Sequence, residues 1–195
     1  MTEKKKTPTW TDTKKALSGL GREELLKTIE DMYKLRKENK LFLHTRYGLA
    51  EGSLDNFKEK IVNAIDAVKA KKISFRDAKQ AISDYKKATG DLEGVAELMV
   101  FYCEECVRSV KRIGLWEQYA NGAMSIWRYT LRHIQDLPRP QYIKFWERLA
   151  TAQKLLGSTG WGLSDMIEIY MFQLSPYAEE GEEEFPSSTP HEDMP

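Results

Sequence analysis

Cysteine is nearly absent from this 195-residue chain: Cys103 and Cys106, three positions apart, are the only two. That scarcity excludes a disulfide-stapled secreted scaffold and suits a reducing cytoplasm. Long apolar runs are missing as well. The opening MTEKKKTPTW is charged and no apolar stretch follows it, so neither a signal peptide nor a membrane span is expected. No segment alternates with the period of two that a half-buried strand requires. The familiar catalytic strings are absent too. GLGREE, residues 19–24, lacks the lysine of a phosphate-cradling loop and any preceding strand, and neither G-x-S-x-G nor H-E-x-x-H occurs.

What the chain does have is helical periodicity, with its own start and stop signals. Residues 22–46 set Leu25, Leu26, Ile29, Met32, Tyr33, Leu35, Leu41, Phe42 and Leu43 among Lys, Arg and Glu, the spacing of one helix with a single wet face, stopped at Gly48. Ser53 opens a second helix with Phe57, Ile61, Ile65 and Val68 inward. Ser74 caps a third, which carries Phe75, Ala78, Ile82 and Tyr85 and ends at Gly90. Asp91 caps the most apolar segment, whose large side chains spread round the circumference, so it should be central and covered on several sides. Helices over 116–136, about 140–156 and about 163–174 follow, separated by Gly114, the Pro138 and Pro140 pair, and a glycine-rich loop. About seven helices with short connections predict an all-α fold. The expected form is an array of antiparallel helical hairpins, either a bundle or a short HEAT-like solenoid. The domain plan is a polar, basic, partly disordered leader over 1–20, one helical domain over 21–175, and an acidic disordered tail over 176–195, too poor in apolar residues to offset its ordering entropy.

Thirty basic and thirty acidic residues cancel, but very unevenly along the chain. Residues 1–90 hold 21 Lys/Arg and 13 Asp/Glu, a net +8, residues 91–175 hold 9 and 10, and residues 176–195 hold 0 and 7.

Each candidate site has a bland counterpart. Cys103-x-x-Cys106 lacks both the strand-to-helix setting of a redox pair and the further ligands of a zinc site, so two core thiols are the simpler expectation. His44, Arg46 and Tyr47 form the most site-like polar cluster, although a histidine in a last turn also complements the helix dipole. Glu93, Glu97 and Glu104 share a stripe, with Arg108 placed to pair with Glu104. No Glu-x-x-His accompanies them, so a ferritin-like metal site is not expected. Trp10 and Trp161 have flanks that suggest partial exposure and hence binding anchors. A basic face draws on Lys34, Arg36, Lys37, Lys40, Lys69, Lys71, Lys72, Lys86 and Lys87, which could contact phosphates but more simply form a solvated surface.

KENKLFLHTRYG, residues 37–48, and AISDYKKATGDLEGVAELMVFYCEECV, residues 81–107, resemble a family of small bacterial helical proteins of unknown function. The resemblance implies a bacterial, cytoplasmic origin and carries no site residues with it. Without a reactive constellation, the expected function is a non-enzymatic helical scaffold that binds a protein partner. The alternatives are a nucleic-acid-associated protein whose acidic tail competes for its basic half, and an enzyme centred on His44. No cofactor, metal or membrane is expected, and a homo-oligomer is compatible with the pattern.

Overall fold

A computed structural model describes residues 7–49, 53–66, 68, 73–114, 117–157 and 162–177 of the chain. Those residues form nine helices and no strand. They divide into two compact units, Met1–Glu51 and Gly52–Pro195.

The first unit contains α1 (Trp10–Leu17), α2 (Arg22–Leu35) and α3 (Lys37–Arg46). Two of these account for the excess over the seven predicted helices. α1 forms inside the leader because Thr9 and Asp12 make a capping box: the Thr9 backbone N–H donates to Asp12 Oδ2 at 2.8 Å. The single helix predicted over 22–46 is in fact two. Arg36 adopts extended backbone (φ −147°, ψ 149°), and the Asn39 side-chain amide reaches back to donate to the Met32 carbonyl at 2.6 Å. An Asn amide thus satisfies a carbonyl that the broken helix would otherwise leave open.

The second unit contains α4 (Ser53–Ile65), α5 (Phe75–Thr89), α6 (Leu92–Ile113), α7 (Glu117–Gln135), α8 (Arg139–Leu156) and α9 (Leu163–Gln173). The caps predicted at Ser74, Asp91 and Gly90 form. Ser74 Oγ accepts from the Asp77 N–H, Asp91 Oδ1 accepts from the Gly94 N–H at 3.0 Å, and Gly90 takes the left-handed conformation (φ 69°) that favours glycine. Val68 lies outside α4 and is exposed, against expectation. Asp66 Oδ1 accepts from the Val68 N–H at 2.8 Å, a side-chain turn that redirects the chain after Ile65.

As its all-round apolar pattern predicts, α6 is central: it packs against α4, α5, α7 and α8. Contacts that skip along the chain in this way make the unit a bundle around one helix and not a solenoid of neighbours. Hydrogen bonds fix the directions. His133 meets the Leu92 carbonyl and Thr130 meets Met99, while Tyr102 meets Phe75 and Tyr85 meets Asp91, so α5 and α7 both run antiparallel to α6. Leu98, Val100, Tyr102, Ile61, Ile65, Trp127, Leu131, Ile134, Phe145 and Leu149 are fully buried around it. Each such side chain contributes about 1.5–3 kcal/mol relative to exposure. Beyond α9, Pro176 is buried and Tyr177 stacks edge-on against Trp146 at 5.5 Å. The rest of the predicted tail, 178–195, lies outside the described residues. Among the described residues, no helix is long and apolar enough to cross a membrane.

Candidate functional site

The polar cluster singled out in the sequence sits on the first unit but does not converge. His44 turns towards α2, where its Nε2 lies 3.0 Å from Tyr33 Oη and the two rings tilt at 5.5 Å. Lys40 lies over the same Tyr33 ring, 5.2 Å from its centroid. Arg46 lies instead over Phe42 at 5.7 Å, and Tyr47 is largely exposed. Among the described residues, the phenol is the polar side chain that His44 meets, and a Tyr–His pair ties two helices together without supplying a nucleophile.

The predicted basic residues are likewise divided. Lys34 is bound to Glu30 one turn back, which holds the Lys34 ammonium above its ordinary range and the Glu30 carboxyl below its own. Arg36 and Lys37 occupy the α2–α3 junction. Lys86 and Lys87 close α5 in the second unit, where their charge complements the helix C-terminus. Lys69, Lys71, Lys72 and Trp161 lie outside the described residues. Trp10, at the head of α1, is 69% exposed.

What the sequence did not reveal is how little α2 buries. Leu26, Ile29, Met32 and Leu35 were expected on a dry face, yet they are 55%, 47%, 56% and 74% exposed. Once the helix breaks at Arg36, α2 packs chiefly against α3, which covers Leu25 and Tyr33 only in part. Thr45 is the one buried residue among those described in the first unit.

In the second unit the glutamate stripe of α6 is filled by cations. Arg148 grips Glu104 with two nitrogens, at 2.9 and 3.1 Å, and also donates to Glu97. Lys58 reaches Glu97 from α4 at 2.8 Å, and Lys144 lies 3.5 Å from Glu93. Burial pushes the Glu97 carboxyl up, but hydrogen bonds from Arg148 and Lys58 outweigh it and hold the group below the usual range. At Arg148 burial works against the charge, but hydrogen bonds to Glu104 and then Glu97 outweigh it and raise the guanidinium above its ordinary range. These carboxylates therefore clamp α4 and α8 to α6. Among the described residues, no group of three or more His, Cys, Asp or Glu side chains could hold a metal ion.

Cys103 and Cys106 are both fully buried on α6. Burial pushes the Cys103 thiol up to about 12 and the Cys106 thiol well above its ordinary value, so neither supplies a thiolate at neutral pH. Thr130 lies 3.4 Å from the Cys103 sulfur, a partner suited to a core thiol.

No family model, curated protein or solved structure matches the chain. The resemblance of residues 37–48 and 81–107 gains no family from these comparisons.

Proposed function

We propose that this chain is a non-enzymatic helical interaction protein that docks on a protein partner through the α2–α3 hairpin. The observation that carries the proposal is the exposure of Leu26, Ile29, Met32 and Leu35 on a unit whose described residues bury only Thr45. A hairpin of one 14-residue and one 10-residue helix is marginal in water without a core. Docking supplies the missing burial: the four side chains are interface anchors of ordinary size, and a partner covering them removes apolar surface that water otherwise contacts. Residues 7–49 carry nine Lys/Arg and six Asp/Glu, a net +3. The fitting partner is therefore an apolar groove bordered by acidic side chains.

The test compares full-length protein with Ile29→Asp/Met32→Asp. A partner is captured from native lysate, purified and titrated against both forms. The reading predicts direct binding that falls by about tenfold or more in the double variant, with the thermal midpoint of the second unit unchanged. Binding indifferent to the substitutions overturns it. So does sedimentation showing that the chain alone dimerises through the same side chains, which makes a second copy the occupant.

A further inference from the structure

The second unit holds a groove of about 300 Å³ between α5 and α7, with α6 beneath. One end is shut where the two walls touch. Phe75 packs edge-on against Tyr119 at 5.1 Å, and Gly122 makes room for the ring, since a Cβ there would lie 2.6 Å from it. Lys79 Nζ then donates to Ser125 Oγ at 2.9 Å across the same gap. Past that bridge the groove opens, lined at depth by Ile82, Val95, Met99 and Ile126.

Its rim is cationic. Lys79, Lys86 and His133 border it together with the Tyr129 phenol, and no Asp or Glu is among the described lining residues. Lys79 is already engaged by Ser125 and by the Tyr129 ring, 5.9 Å away. His133 Nε2 lies 3.3 Å from the Leu92 carbonyl, which holds the imidazole at the open end. Among the described residues, Lys86 has no ion-pair partner.

From this arrangement we infer that the groove is a binding site for a small organic monocarboxylate with a compact apolar body. The body lies on Ile82, Val95, Met99 and Ile126, and the carboxylate meets Lys86 beside His133. A wholly apolar ligand would leave the ammonium unused, and a polyanion would leave the apolar floor unused; an amphipathic monoanion uses both. A volume at the small end of ligand pockets favours a molecule of this size over a segment of a macromolecule. The site shares no residue with the docking hairpin, so the two readings stand or fall separately.

Octanoate is the probe, titrated into the full chain by calorimetry, with acetate and octan-1-ol as controls for body and charge. Octanoate is expected to saturate one site, tighter than either control. Lys86→Glu should weaken it by about fivefold or more, and Lys111→Glu, away from the groove, should leave it within about twofold. Ser83→Phe fills the groove from α5 and should abolish binding, with circular dichroism confirming the fold. The inference is overturned if octanoate fails to saturate, if octan-1-ol binds as tightly, or if Lys86→Glu leaves the affinity unchanged. Because Lys86 is exposed at the end of α5, its variant decides the matter even where Ser83→Phe disturbs packing.

Discussion

Arg148 joins two carboxylates of the α6 stripe through one guanidinium. Its neighbours replace it only in part: Lys58 stays with Glu97, while Arg108 stands 4.0 Å from Glu104. Arg148→Met should cost about 1–2 kcal/mol at pH 7, less than for a fully buried pair because the arginine is 30% exposed. Arg148→Lys should recover only part of this, since an ammonium cannot reproduce the two-nitrogen grip on Glu104. The pH dependence has a definite sign. Glu97 is held below its ordinary 4.5, so its contribution is fully present above that value and disappears as pH falls through the lowered one. Urea unfolding at pH 7 and pH 3 should therefore show the gap between Arg148→Met and wild type shrinking at the lower pH. The acidic half of this clamp was legible in the sequence, because Glu93, Glu97 and Glu104 recur at helical spacing. Arg148 was not, because it stands 44 residues from Glu104 and no local pattern reports a contact between distant helices.

At the level of elements, glycine separates two kinds of information. Gly90 ends α5, as sequence punctuation predicts. Gly122, in the middle of α7, carries no such signal, and only the fold explains it: the Phe75 ring occupies the space a side chain would take. In an open helix Gly→Ala stabilises by about 1 kcal/mol. At Gly122 the collision should reverse that sign and destabilise by about 1–3 kcal/mol, measured by urea unfolding. Phe75→Leu should return part of the loss in the double variant. The α2–α3 break shows the complementary limit. No Gly or Pro interrupts residues 22–46, and the apolar positions read as one continuous face. The helix yields at Arg36 because Asn39 offers the Met32 carbonyl a side-chain donor, a competition that hydrophobic spacing does not record.

For the whole molecule, burial is concentrated in one unit. Among the described residues the apolar core begins at Phe57, and every fully buried large side chain lies at or beyond it. Residues 52–195 expressed alone should therefore unfold cooperatively, with a midpoint within a few degrees of the full chain, whereas residues 1–51 alone should show little helix by circular dichroism. A midpoint lowered by about 10 °C or more would show that the second unit depends on the first.

The central placement of α6 also sets a clock. Four helices lean on it, so none can detach without exposing part of its surface, and its own amides are released only when the bundle as a whole comes apart. Among the described residues of the first unit only Thr45 is buried, so the α2–α3 backbone should open at lower cost than α6. In deuterated water the chain should thus exchange its protons in two widely separated waves, the first from the hairpin and the last from α6. A molecule that docks on the hairpin would delay the first wave and leave the last where it was.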